Sequence, residues 1–156
     1  MQIDVANRQD SHPIDADRIE RAARAALQEG SFTNGELSIA VVDDPTIHRL
    51  NRESLAHDYP TDVLSFCLEE QGDRLVGEVV VSADTAQTNA VEYGWAAESE
   101  LLLYVVHGVL HLVGYRDKSD EDSREMRLAE ARCLERVGVQ CPADHTPSEP
   151  VGDSQK

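Results

Sequence analysis

Apolar and polar positions alternate in blocks along the chain, and the blocks predict a regular order of elements. IDVAN near the start reads as a short strand. A helix is predicted over about 14–29, where Ile19, Ala22, Ala23, Ala26 and Leu27 recur at helical spacing and Gly30 is placed to stop it. LSIAVV is β-branched and runs into Asp43, Asp44 and Pro45, which predicts a strand followed by a helix beginning near Pro45. TDVLSFCL and LVGEVVVS are two further strands, with EEQGDR as the turn between them. Helices at about 84–93, 97–113 and 120–137 follow, the first two divided by Gly94. Strands early and helices late predict an α+β fold: a single domain with a small mixed sheet of about four strands and about five helices. Residues 1–139 form that domain in this reading, and the polar, proline-rich stretch 140–156 is expected to be a disordered tail.

One block departs from ordinary amphipathic patterning. From Leu101 to Val113 nearly every side chain is aliphatic, so the helix is apolar on all faces and belongs inside the protein. His107 and His111 interrupt this run. Four residues apart on a helix, their rings project from one face, one turn above the other. Burying an imidazole without partners costs a few kcal/mol, and the H-x-x-x-H spacing lets two rings converge on one ion. Gly114 can end the helix in a left-handed conformation, and Asp117 follows three residues later as an oxygen donor. His107, His111 and Asp117 are therefore the candidate metal ligands. Asp120 and Asp122 have a better use at the start of the last helix, where Ser119 and Asp122 resemble a capping box.

Composition narrows the chemistry. Asp and Glu number 30 against 14 Lys and Arg, a formal net charge of -16, which keeps the chain soluble and repels a phosphate backbone at long range. Any polyanion must then be met at a local site. Arg18, Arg21 and Arg24 share one flank of the first helix, where Asp17 and Glu20 accompany them, so the flank reads as a solvated face. Cys67, Cys133 and Cys141 are an odd set without C-x-x-C spacing, which argues against a disulfide framework and against a cysteine-held zinc. No secretory signal or membrane span is evident, and a cytoplasmic protein is expected. The zinc-protease signature places glutamate directly after the first histidine; Gly108 stands there instead. The chemistry that remains is a divalent ion polarising a phosphoryl or carbonyl oxygen and activating water.

HGVLHLVGY, with TDVLSF upstream and the strand GEVVVS, resembles the YbeY-type endoribonucleases, the ribosomal RNA maturation factors, over about residues 35 to 138. The resemblance implies a one-domain α+β fold with a zinc ion in a cleft. It implies single-strand RNA cleavage in the cytoplasm, maturation of the 3′ end of 16S ribosomal RNA and ribosome quality control, with small-subunit proteins and an assembly GTPase as partners. By position it makes His107 and His111 metal ligands, with Thr61, Asp62 and Ser65 lining the cleft near them. The family's third histidine falls at Asp117 and the aspartate before it at Arg116. A carboxylate still binds zinc but adds negative charge, so Mn²⁺ competes better. Leu55 stands where the family usually carries an arginine thought to position phosphate, with His57 as the nearby candidate substrate contact, and Cys67 replaces a proline. A second reading of the same residues is an assembly factor whose metal site stabilises the fold while catalysis is weak or absent. Hydrolysis of a small metabolite or peptide ranks third.

Overall fold

The computed structural model describes residues 1–55, 61–116 and 118–142. Four strands and five helices follow in the order β1 (Gln2–Asn7), α1 (Ala16–Leu27), β2 (Asn34–Val42), α2 (Asp44–Leu55), β3 (Val63–Gln71), β4 (Arg74–Ser82), α3 (Ala83–Tyr93), α4 (Ala97–Leu112) and α5 (Asp120–Arg136). The strands form one sheet in the order β1-β2-β4-β3. β1, β2 and β4 are mutually parallel, and β3 pairs antiparallel with β4. The sheet is thus mixed, and the expected α+β class holds. The stretch 140–156 expected as a tail lies outside the described residues from 143 onward. No described helix is long and apolar enough to cross a membrane.

Both faces of the central strands are covered, which explains why β2 and β4 read as almost unbroken apolar runs. Leu37, Ile39 and Val41 of β2, with Leu75, Val79 and Val81 of β4, join the main core beneath α1, α4 and α5. Ala40, Val42 and Val80 point the other way and pack with Leu64 and with Ile47 of α2. α4 lies between sheet and outer helices, and 12 of its 16 residues are buried, so the aliphatic run that begins at Leu101 follows from having neighbours on every side.

Local signals set the boundaries. Asp43 accepts from the Thr46 backbone N–H at 2.9 Å, capping α2 ahead of Pro45. Ser82 caps α3 and Ser119 caps α5, the latter through the Asp122 N–H at 3.0 Å. Gly94, at φ 76°, closes α3 as a left-handed cap. Two expectations differ from the structure. The β3–β4 turn shrinks from EEQGDR to Gly72 and Asp73, because the strands stay paired through Gln71 and Arg74. Gly30 does not end α1 by a left-handed turn: the helix stops at Leu27, and Gly30 serves instead as a contact, since a Cβ there would lie 2.6 Å from the Val113 Cβ at the end of α4.

Candidate metal centre

Three constraints place His107 and His111. α4 carries them one turn apart; β3 holds the backbone between them; and the segment after α4 folds back to hold the second ring. Gly108 packs directly on the sheet, where an added Cβ would stand 2.7 Å from Val79 Cγ1 and 3.0 Å from Val63 Cγ2. The Ser65 hydroxyl donates to the Gly108 carbonyl at 2.9 Å, tying β3 to the helix at the same point. The position after the first histidine therefore faces a wall, and no glutamate base would fit there. On the other side Gly114, at φ 115°, reverses the chain, and the Tyr115 N–H returns to the Leu110 carbonyl at 2.9 Å.

The rings meet edge to face, with centroids 4.6 Å apart and an interplanar angle of 81°. Their Nε2 atoms are 3.0 Å apart. Each outer nitrogen has its own partner: His107 Nδ1 lies 2.6 Å from Glu130 Oε2, and His111 Nδ1 lies 3.1 Å from the Tyr115 carbonyl oxygen. A carbonyl only accepts, so His111 Nδ1 carries the hydrogen and, in the neutral ring, Nε2 carries a lone pair. A carboxylate imposes the same tautomer on His107. With a proton on one Nε2 the 3.0 Å contact is an N–H···N hydrogen bond; with both rings in the neutral Nδ1–H tautomer two lone pairs face the same point, which suits a cation shared between them. A tetrahedral ion roughly 2.0–2.1 Å from each nitrogen would hold its donors about 3.3 Å apart, so the pair fits such an ion after an adjustment of a few tenths of an ångström.

The support around the pair is itself anchored. The Tyr115 hydroxyl donates to Glu29 at 3.1 Å, and Glu29 also receives Arg132 at 2.8 Å and Arg136 at 3.0 Å. The Arg132 hydrogen bond holds the Glu29 carboxyl below the usual carboxylate range, against the opposing effect of burial. Burial, then Glu29, push the Tyr115 phenol upward. The ring of Tyr115 is thereby fixed while its carbonyl orients His111.

Of the residues expected at the site, His107 and His111 are brought together as described. Asp117 and His57 lie outside the described residues, and among the described residues no three His, Cys, Asp or Glu side chains form a complete metal-binding group. Thr61, Asp62 and Ser65 are all buried, at 4 %, 1 % and 6 % exposure. Ser65 bonds beside His107 as noted. Asp62 lies close enough to Tyr104, one turn before His107, to raise the phenol, after burial as the larger cause. Two of the first-helix arginines are engaged within the fold: Arg18 pairs with Glu98 and donates to the Val137 carbonyl, and Arg24 pairs with Glu20.

Glu130 is the residue that pattern reading missed. Met126, Ala129, Glu130, Cys133 and Leu134 are the buried residues of α5. Their spacing puts a carboxylate inside the apolar stripe of the helix, and that misplaced charge was the available signal. A separate cavity of about 310 Å³ lies between the approach to α1, α3 and α4, lined by His12, Ile14, Ile19, Ala86, Leu101 and others, and shares no residue with the histidine pair.

The chain that folds into this mixed α+β sheet and buries the histidine pair is similar to several known proteins. A protein from Rhodopirellula baltica named endoribonuclease YbeY is 44 % identical over 126 residues, covering 80 % of this chain and 65 % of that protein. One of the same name from Syntrophotalea carbinolica is 39 % identical over 142 residues, covering 86 % of this chain and 95 % of its own length. The solution structure of TM1509 from Thermotoga maritima superposes with a TM-score of 0.64 at 29 % identity, over 87 % of this chain and 89 % of that one. The class defined is an endoribonuclease, a hydrolase of RNA phosphodiester bonds. More narrowly, the chain matches the endoribonuclease YbeY family model over residues 4–138 and belongs to that family.

Proposed function

We propose that this endoribonuclease cuts single-stranded RNA in the maturation of the 16S ribosomal RNA 3′ end, as part of ribosome assembly and quality control. It does so with one divalent ion, zinc or in its place manganese, held by His107 and His111. The observation that supports this reading is the 3.0 Å approach of two Nε2 atoms whose outer nitrogens are both engaged. Asp117, three residues past the Gly114 reversal, is the third donor in this reading. When bound, the ion supplies Lewis-acid stabilisation of charge on a phosphoryl oxygen.

The chain's own residues prepare the site. Glu130 and the Tyr115 carbonyl keep both rings in the tautomer that presents Nε2 inward. Ser65 fixes the level of α4 against β3. The net charge of -16 leaves little general affinity for RNA, so small-subunit proteins and an assembly GTPase in the cytoplasm deliver the substrate.

Purified protein incubated with labelled single-stranded and duplex RNA tests the reading. Single strands should be cut, chelator should abolish cutting, added Zn²⁺ or Mn²⁺ should restore it, and His111→Ala should be inactive. Cleavage that persists with chelator and in His111→Ala would refute the assignment.

A further inference from the structure

We infer that Glu130 is a positioning residue, which holds His107 in the tautomer that presents a bare Nε2 to a metal beside His111, without itself being a ligand. The inference rests on the metal reading above. Glu130 sits in α5, 23 residues from His107, and its Oε2 is 2.6 Å from Nδ1 with both side chains almost fully buried. That places the carboxylate behind the ring, on the side away from Nε2, where it touches the imidazole and would not itself hold an ion bound at Nε2.

Stability does not account for a carboxylate at this place. Its neighbours in the stripe are Met126, Ala129, Cys133 and Leu134, all at 1 % exposure or less. An apolar residue of similar volume would pack there without the several kcal/mol needed to take a carboxylate out of water. Its second oxygen, Oε1, is buried with no hydrogen-bond partner among the described residues, a further cost that packing does not repay.

An ionised carboxylate is acceptor-only, and this property is what the site uses. Facing Nδ1, it forces the hydrogen onto Nδ1 and leaves Nε2 with its lone pair. An amide of the same shape is ambivalent: turned one way it accepts from Nδ1–H, turned the other it donates to a bare Nδ1 and stabilises the Nε2–H ring, which cannot ligate through Nε2. Glu130→Gln thus keeps the volume and a hydrogen bond while removing the tautomer restriction. The Tyr115 carbonyl does the equivalent work for His111, and being backbone it cannot be changed by a side-chain substitution.

The test measures Zn²⁺ binding to the wild-type and Glu130→Gln proteins at fixed pH, with melting of both metal-free forms and ¹⁵N NMR of the histidine rings without metal. Glu130→Gln should bind Zn²⁺ 10- to 100-fold more weakly while melting like wild type without metal, and His107 should change from the pure Nδ1–H tautomer to a mixture. Equal Zn²⁺ affinity in the two proteins would overturn the inference. If Glu130→Gln fails to fold, the wild-type spectrum decides: Nδ1–H at His107 supports the role and Nε2–H overturns it. A wild-type protein that takes up no Zn²⁺ defeats the parent reading instead, and the metal-free tautomer measurement tells the two failures apart.

Discussion

Gly108→Ala puts two opposing effects into direct competition at the centre of the site. In a helix interior, alanine is favoured over glycine by about 1 kcal/mol. The structure predicts that contact with the sheet overrides this gain. The added methyl would stand 2.7 Å from Val79 Cγ1, 3.0 Å from Val63 Cγ2 and 3.0 Å from Ser65 Oγ. Both valines are buried, at 0 % and 2 % exposure, and β-branched side chains have little rotamer freedom with which to yield. Overpacking of this kind costs about 1–3 kcal/mol, and displacing Ser65 from the Gly108 carbonyl costs about 1 kcal/mol more. The net destabilisation is about 2 kcal/mol, or a fall in Tm of roughly 7 °C for a domain of this size. Thermal unfolding followed by circular dichroism, with calorimetry to check two-state behaviour, reads it. Adding Val79→Ala should recover part of the loss, making the double variant more stable than the sum of the singles by over about 0.5 kcal/mol. A Tm for Gly108→Ala equal to or above that of wild type would refute the close approach of α4 to β3 and β4.

Other outcomes follow from the same structure. Glu29 has its carboxyl held below its ordinary value near 4.5, first by Arg132; its stabilisation is therefore present above about pH 4.5 and lost as pH falls through the lower native value. Glu29→Gln should lower Tm at pH 7, with the gap from wild type closing on acidification below that range; a gap that widens in acid would contradict the network. Burial pushes the Cys133 thiol up to about 11, and Cys67 is the exposed cysteine. At pH 8 a thiol reagent should modify Cys67 first and Cys133 only on unfolding, as peptide mass spectrometry would show; early labelling of Cys133 would place α5 wrongly. Ser65→Ala should cost about 1 kcal/mol in denaturant unfolding, and a neutral result would remove Ser65 from the support of α4.

The parts of this site that could be read from sequence were those set by local geometry. An apolar run with histidines four residues apart gives both burial and a shared ring direction, and glycine at 114 gives the reversal. Ser119 as a cap needed only its spacing to Asp122. What escaped depended on contacts across the fold. Glu130 reads as one more acid in an acidic helix until Met126, Ala129, Cys133 and Leu134 are seen to share its face, and its partner lies 23 residues away. Gly30 resembles a helix stop, yet its reason is the end of α4, which no local pattern reveals. Ser65 was singled out by resemblance; that its hydroxyl holds a helix carbonyl follows only from the strand order, which sets β3 beside β4 at the sheet edge under α4.

The central claim is that the inner nitrogens of His107 and His111 share one divalent ion. A crystal grown with Zn²⁺ and measured at the zinc absorption edge tests it most directly. The account predicts one anomalous peak about 2.0–2.1 Å from both Nε2 atoms, with Glu130 still on His107 Nδ1. An ion bound elsewhere, or bound through Nδ1 of either ring, would contradict it.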